Sequence, residues 1–221
     1  MGIFITLEGI DGSGKTTVSG IINARLEKDG YKVMPVKEPT ETPLGKFIRS
    51  EILCHGSAGS EDVLASLFLF SADRTVHIDK IKAELHRFDV VICDRFIDST
   101  YAYQAAGLGD TDENKKLKEF ILALNEFILE QKKFFIDRTY LFDLEPETAL
   151  SRLNGRISKI DGFDSRPPGF FNSVRNNYLR LSEKYRERIK VIDASAPPEN
   201  TADKIEADIL KMLEKKINFT D

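Results

Sequence analysis

Five apolar bursts of strand length mark the chain: Ile3 to Leu7, Tyr31 to Val36, Val90 to Cys93, Thr139 to Leu144 and Ile189 to Ile192. Longer segments with apolar residues at helical spacing separate them. Helix starts are signalled by Thr42 before Pro43, by Ser60 before Glu61 and Asp62, and by Pro146, which opens a segment carrying Ala149, Leu150 and Leu153. Strands alternating with helices predict the α/β class with a parallel sheet. The run Val90-Val91-Ile92-Cys93 has no polar interruption, as expected of a central strand covered on both faces. Asn154 to Gly169 is rich in Gly, Ser, Asp, Arg and Pro and reads as an exposed, movable loop, followed by another helix near Phe170. No linker long enough to favour two domains interrupts residues 1–221, and there is no repeat or low-complexity tract.

Composition narrows the picture further. Phe, Leu, Ile and Val make up 66 of 221 residues, enough for a substantial core. A net charge of -4 argues against sequence-nonspecific nucleic-acid binding. The charge is uneven: Arg152 to Lys190 holds ten basic and four acidic residues, a local +6. Cys54 and Cys93 lack metal-ligand or CxxC spacing and read as reduced thiols of a cytoplasmic protein. The first apolar segment lacks a basic lead and meets Glu8 early, unlike a signal peptide. No apolar run reaches the length of a membrane span, so no membrane partner is expected.

Gly9-Ile10-Asp11-Gly12-Ser13-Gly14-Lys15-Thr16 fits GxxxxGK[ST] between the first strand and a helix running from Lys15 to about Lys28. Glycines let successive N–H groups turn toward a polyphosphate, Lys15 reaches the β and γ phosphates, and the Thr16 hydroxyl can ligate Mg²⁺. Residues Gly9 to Thr17 are thus the expected nucleoside-triphosphate-binding segment; the competing reading is a tight glycine turn. A guanine-reading NKxD segment is lacking, because Asn114-Lys115-Lys116-Leu117 carries Leu where the carboxylate belongs. The chain is also short for a motor ATPase with a sensor domain, which leaves a small-molecule kinase. The third strand delivers Asp94, a candidate Mg²⁺ ligand, and Arg95, whose guanidinium fork suits an acceptor phosphate. Their alternative reading is a buried Asp-Arg ion pair.

Cys93-Asp94-Arg95-Phe96-Ile97-Asp98-Ser99-Thr100-Tyr101-Ala102-Tyr103-Gln104 resembles the DR[YFH]xxSxxAYQ signature of the thymidylate kinase family of P-loop nucleoside monophosphate kinases. Four more blocks agree in order: Lys37-Glu38-Pro39 with Thr42-Pro43-Leu44-Gly45, Leu69 to Arg74, Leu141 to Glu147, and Phe171 to Leu181. The resemblance implies a three-layer P-loop kinase fold in one domain, with a five-stranded parallel sheet flanked by helices and a mobile lid at about residues 152–169. It implies transfer of the ATP γ-phosphoryl group to dTMP with Mg²⁺, in a homodimer; the apolar-rich helices around Leu64 to Phe70 or Phe120 to Leu129 offer a face for it, and burial inside one subunit explains them equally well. Other readings are a kinase of dUMP, another nucleotide or a deoxynucleoside, and a non-catalytic nucleotide-binding module.

Residue by residue, the resemblance implies that thymine stacks on Phe70 and accepts from Arg74, although Phe70 in the core with Arg74 reaching outward is the alternative. Ser99, Thr100, Tyr103 and Gln104 line base and sugar, Asp11 faces the 3′-hydroxyl, and Arg49 shares the monophosphate with Arg95 unless it is simply solvated. Glu38 belongs to the acceptor side without an assigned role. Arg152, Arg156 and Arg166 are the lid's candidate catalytic cations, because the phosphate loop itself contains no arginine. Arg180, Lys184 and Arg186 are expected on a solvated face. Adenine is expected near Asp193-Ala194-Ser195. Thr40-Glu41 stands where the family commonly has Gly-Gly, Lys37 replaces Arg, and Arg166-Pro167-Pro168-Gly169 is atypical.

Overall fold

The computed structural model describes residues 1–53, 63–154 and 169–218. Five strands, β1 (Ile3–Glu8), β2 (Val33–Lys37), β3 (Val90–Asp94), β4 (Arg138–Asp143) and β5 (Ile189–Asp193), form one parallel sheet in the order β2-β3-β1-β4-β5. Each lies within a residue or two of its apolar burst. β1 is buried along its whole length and β3 up to Cys93, whereas the edge strands β2 and β5 alternate between buried and more open positions. That is the expected difference between a strand with two neighbours and one with a free edge.

The two-residue period of the strands builds two cores. Ile3, Ile5 and Leu7 of β1, with Val90 and Ile92 of β3, join the larger apolar cluster; Phe4, Val91 and Cys93 face the other. Phe4 packs against Phe96 and Phe134, with ring centres 5.1 and 4.9 Å away.

Helices α1 (Lys15–Lys28), α2 (Pro43–Phe47), α3 (Val63–Glu84), α4 (Ile97–Gln104), α5 (Asp112–Lys132), α6 (Pro146–Asn154), α7 (Phe170–Lys184) and α8 (Pro198–Asn218) flank the sheet. The predicted start at Thr42 is realised, its hydroxyl accepting from the Gly45 N–H at 3.1 Å. A π-helical segment, Ile48–Leu53, continues from α2. The expected start at Ser60 lies outside the described residues, as does the expected lid apart from its ends. Because β2 lies on the β3 side of β1 and β4 on the other, connections diverge around β1, and the carboxyl ends of β1 and β3 open a crevice.

Candidate active site

The phosphate loop leaves β1 at Gly9, whose φ is 141°, and a Cβ there would lie 2.6 Å from the Phe142 carbonyl oxygen. Gly12, at φ 80°, passes equally close to the Ala149 carbonyl. Both positions need glycine for conformation and for space. Lys15 curls over the loop, donating to the carbonyls of Gly9 (3.0 Å) and Ile10 (2.9 Å) and reaching the Ser13 hydroxyl (3.4 Å). Burial, reinforced by the Arg95 cation, pushes its ammonium down to about 8, while Asp94, Asp11 and Glu8 oppose the shift. An arriving polyphosphate would favour the charged form again.

Thr16, at the start of α1, donates through Oγ1 to Asp94 Oδ2 at 3.0 Å. Oδ1 of Asp94 is buried without a hydrogen-bond partner. One hydroxyl beside a carboxylate oxygen in need of a partner fits Mg²⁺, which takes few protein ligands and fills its remaining positions with phosphate oxygens and water. Among the described residues no cluster of three or more His, Cys, Asp or Glu side chains forms a fuller metal cage.

Arg95 follows directly, at φ 70°, a left-handed conformation that is uncommon for a residue with a Cβ. Its Nη2 donates to Asp11 Oδ1 (2.7 Å) and to the Tyr103 hydroxyl (3.2 Å), and its Nη1 to the hydroxyls of Ser99 (3.2 Å) and Tyr178 (3.4 Å). The guanidinium lies 5.0 Å from the Tyr103 ring centre. Its ion-pair partner is therefore Asp11 of the phosphate loop, and the Asp94–Arg95 pair considered from the sequence does not form. Burial opposes ionisation of Asp11, but Arg95 and Lys15 hold its carboxyl below the ordinary value. Ser99, expected along the base and sugar, is bonded to Arg95, Glu8 and Tyr178.

On the acceptor side, Arg74 is 1% exposed rather than reaching outward. Glu38 Oε2 accepts from its Nε (2.9 Å) and Nη2 (2.8 Å), Phe96 O accepts a second bond from Nη2 (3.1 Å), and Asn125 Oδ1 accepts from Nη1 (3.3 Å). Glu38, whose role the sequence left open, thus clamps Arg74 while its Oε1 meets His77 Nδ1 at 3.1 Å. Arg49 donates to the Pro39 carbonyl at 2.6 Å and lies 3.8 Å from Glu41. Phe70 and Gln104 are partly buried, and Thr100 is buried with a hydroxyl that has no partner. The Thr40-Glu41 departure is absorbed locally. Thr40 donates its N–H (2.8 Å) and hydroxyl (2.5 Å) to Asp73, and Glu41 pairs with Lys37 at 2.7 Å.

Much of the +6 segment is committed to the fold. Arg175 pairs with Asp143 and Glu145, Arg188 grips Asp98 with both Nη atoms, and Lys190 pairs with Asp208. Lys184 and Tyr185 both meet Glu126, so Lys184 is not a bare solvated charge. Arg152, expected as a phosphate clamp, donates to the carbonyls of Ala194 (2.9 Å) and Ser195 (3.4 Å). That placement ties it to the loop after β5. Arg156, Arg166 and the Pro167-Pro168 pair lie outside the described residues.

Sequence reasoning missed Glu8, Asp73, Asn125 and Tyr178. Glu8 was detectable as a lone carboxylate closing an apolar strand just before Gly9. The other three act through partners more than thirty residues away, for which spacing offers no signal.

A parallel sheet with this strand order, a glycine-rich phosphate loop after β1, and Asp94 at the end of β3 followed by Arg95 define a P-loop phosphotransferase of the nucleotide kinase class. The family model described as thymidylate kinase matches residues 7–205, and the chain belongs to that family. It is 34% identical to the thymidylate kinase of Thermomicrobium roseum over 216 residues, covering 97% of this chain and 98% of the relative. It is 37% identical to the thymidylate kinase of Pseudomonas putida, covering 96% and 99%. Similarity to the probable thymidylate kinase of Thermococcus gammatolerans is also 37%, with 98% of each covered.

Proposed function

We propose that the protein transfers the γ-phosphoryl group of ATP to the phosphate of dTMP, releasing dTDP and ADP. The observation that carries this reading is Arg95, held between the phosphate loop and α4 by Asp11, Ser99, Tyr103 and Tyr178. An acceptor phosphate oxygen is already anionic, so no general base is required; alignment and charge neutralisation carry the rate. Gly9 to Thr17 take the ATP phosphates, with Lys15 leaving the loop carbonyls for the β and γ oxygens. Thr16 and Asp94 would hold Mg²⁺, which would offset the charge of the phosphates.

Thymine lies against Phe70, Arg74, Thr100 and Gln104. Arg74 uses four of its five N–H groups on Glu38, Phe96 and Asn125, which leaves one on Nη1 for a base carbonyl. Tyr103 and Asp11 face the sugar, and Arg49 joins Arg95 on the monophosphate. Two approaching phosphates need further cations, for which Arg152, Arg156 and Arg166 are the candidates. Residues 1–221 act as one domain in a cytoplasmic homodimer. Among the described residues no helix is long and apolar enough to cross a membrane. Exposed Phe68, Phe120 and Phe127 on neighbouring α3 and α5 favour a face between two copies.

The test is ADP release from Mg²⁺-ATP with dTMP, dUMP, dCMP, dAMP or thymidine as acceptor. dTMP leads, with dUMP lower by the roughly 10- to 200-fold that one methyl group allows. Lys15→Ala and Arg95→Ala each lower kcat about 10²- to 10³-fold. Failure of every acceptor would overturn the kinase reading.

A further inference from the structure

Glu8 is fully buried, and among the described residues no cation contacts it. Its Oε1 accepts from the Phe96 N–H at 2.7 Å, and its Oε2 accepts the hydroxyls of Ser99 (2.5 Å) and Tyr178 (2.9 Å). Isolating a carboxylate this way is costly, and an apolar residue would close the strand more cheaply. What the carboxylate does is set two hydroxyl directions. Each hydroxyl has one hydrogen: Ser99 gives its own to Glu8, Tyr178 shares its own between Glu8 and the Ser99 oxygen 2.8 Å away, and lone pairs of both face Nη1 of Arg95, at 3.2 Å from Ser99 and 3.4 Å from Tyr178. Burial and the Glu8 charge both raise the Tyr178 phenol, so it remains a donor.

Resting on the dTMP kinase reading, we infer that Glu8 is a positioning residue: through the hydroxyls of Ser99 and Tyr178 it aims the Arg95 guanidinium at the reacting phosphates. The relay joins four elements, since Glu8 ends β1, Arg95 follows β3, Ser99 lies on α4 and Tyr178 on α7. The other charges around Glu8 are Asp98 on α4, Lys15 on α1 and Arg188 before β5. Arg188 is occupied by Asp98, which leaves the hydroxyls as the link from Glu8 to a cation at the crevice.

Initial rates with ATP and dTMP are measured for the native chain, Glu8→Gln, Tyr178→Phe and their double variant, with thermal melting alongside. An amide at position 8 offers an N–H to the same hydroxyls and turns their hydrogens toward Arg95. Glu8→Gln therefore lowers kcat about 10- to 100-fold with KM for ATP changed less than about twofold. Tyr178→Phe lowers kcat in the same sense, and the double variant is no slower than Glu8→Gln alone, because both break one path. A folded Glu8→Gln with native kcat, or two losses that multiply, would overturn the inference. If Glu8→Gln does not fold, Tyr178→Phe decides: native kcat in that variant is the overturning result. An active native enzyme with unaffected variants defeats only the relay, whereas a native chain inactive with dTMP defeats the kinase reading and the relay with it.

Discussion

Two buried glutamates serve two arginines in different ways. Glu38 grips Arg74 directly through Nε and Nη2, whereas Glu8 reaches Arg95 only through Ser99 and Tyr178. The side chain of Arg74 is 1% exposed and that of Arg95 19%. A buried carboxylate in direct contact neutralises its arginine and fixes it as part of a wall; Arg95 meets its one carboxylate partner, Asp11, at the half-exposed edge of the crevice, while the hydroxyls between it and Glu8 orient the guanidinium. In the proposed reaction Arg74 is left to read a neutral carbonyl with one remaining N–H, and Arg95 to meet phosphate.

The sharpest way to break this contrast is to remove each arginine's acidic partner. Glu38→Gln leaves Arg74 as an uncompensated charge in the interior, and unfolding in urea should show a loss of about 3–5 kcal/mol. Asp11→Asn removes a half-exposed partner from Arg95 and should cost less than about 1 kcal/mol. Equal losses in the two variants would mean that both arginines are structural.

How much of this was legible in the chain follows from the same contrast. The sheet and phosphate loop are local: Ile3–Glu8 runs into Gly9 to Thr16 without a break, so one stretch of sequence carries strand, turn and helix start. The Asp94-Arg95 segment was readable for the same reason. Arg74 was placed on its helix, but its burial was not foreseen, because Glu38 and Asn125 are 36 and 51 positions away. Arg152 stands at the edge of a Gly- and Pro-rich loop, and nothing local announces two carbonyls after β5 as its acceptors.

Glu8 supplies a second, smaller test through pH. Burial first, and Asp98 next, raise its carboxyl from 4.5 to about 7. Between those values the folded chain binds more protons than the unfolded one, so the contribution of Glu8 to stability is present below about pH 4.5 and is lost as pH rises through about 7. Relative to Glu8→Gln, native stability should fall by about 3 kcal/mol across that window. Urea unfolding at about pH 5 and about pH 8 checks it. The variant should gain on the native chain at the higher pH even as it loses kcat; parallel curves would show that Glu8 ionises normally and that burying its charge costs little.

A further test concerns the acceptor loop, where this chain departs from its family. A Cβ at Gly45 would lie 2.1 Å from the Thr40 carbonyl oxygen, so the loop rests on the helix that follows it. Asp73 holds the loop there by accepting the N–H and hydroxyl of Thr40 and the hydroxyl of Thr42. Thr40→Gly restores the common family residue and keeps the backbone bond to Asp73, but it removes one hydroxyl and adds freedom to the unfolded chain. Unfolding should register a loss of about 1–2 kcal/mol. KM for dTMP should change less than about twofold, because the retained Thr40 N–H and Thr42 hydroxyl preserve the loop's path and leave Glu38 facing Arg74. A large rise in KM with unchanged stability would instead place the Thr40 hydroxyl on the substrate side of the loop, and the acceptor wall would then be a working part of the pocket.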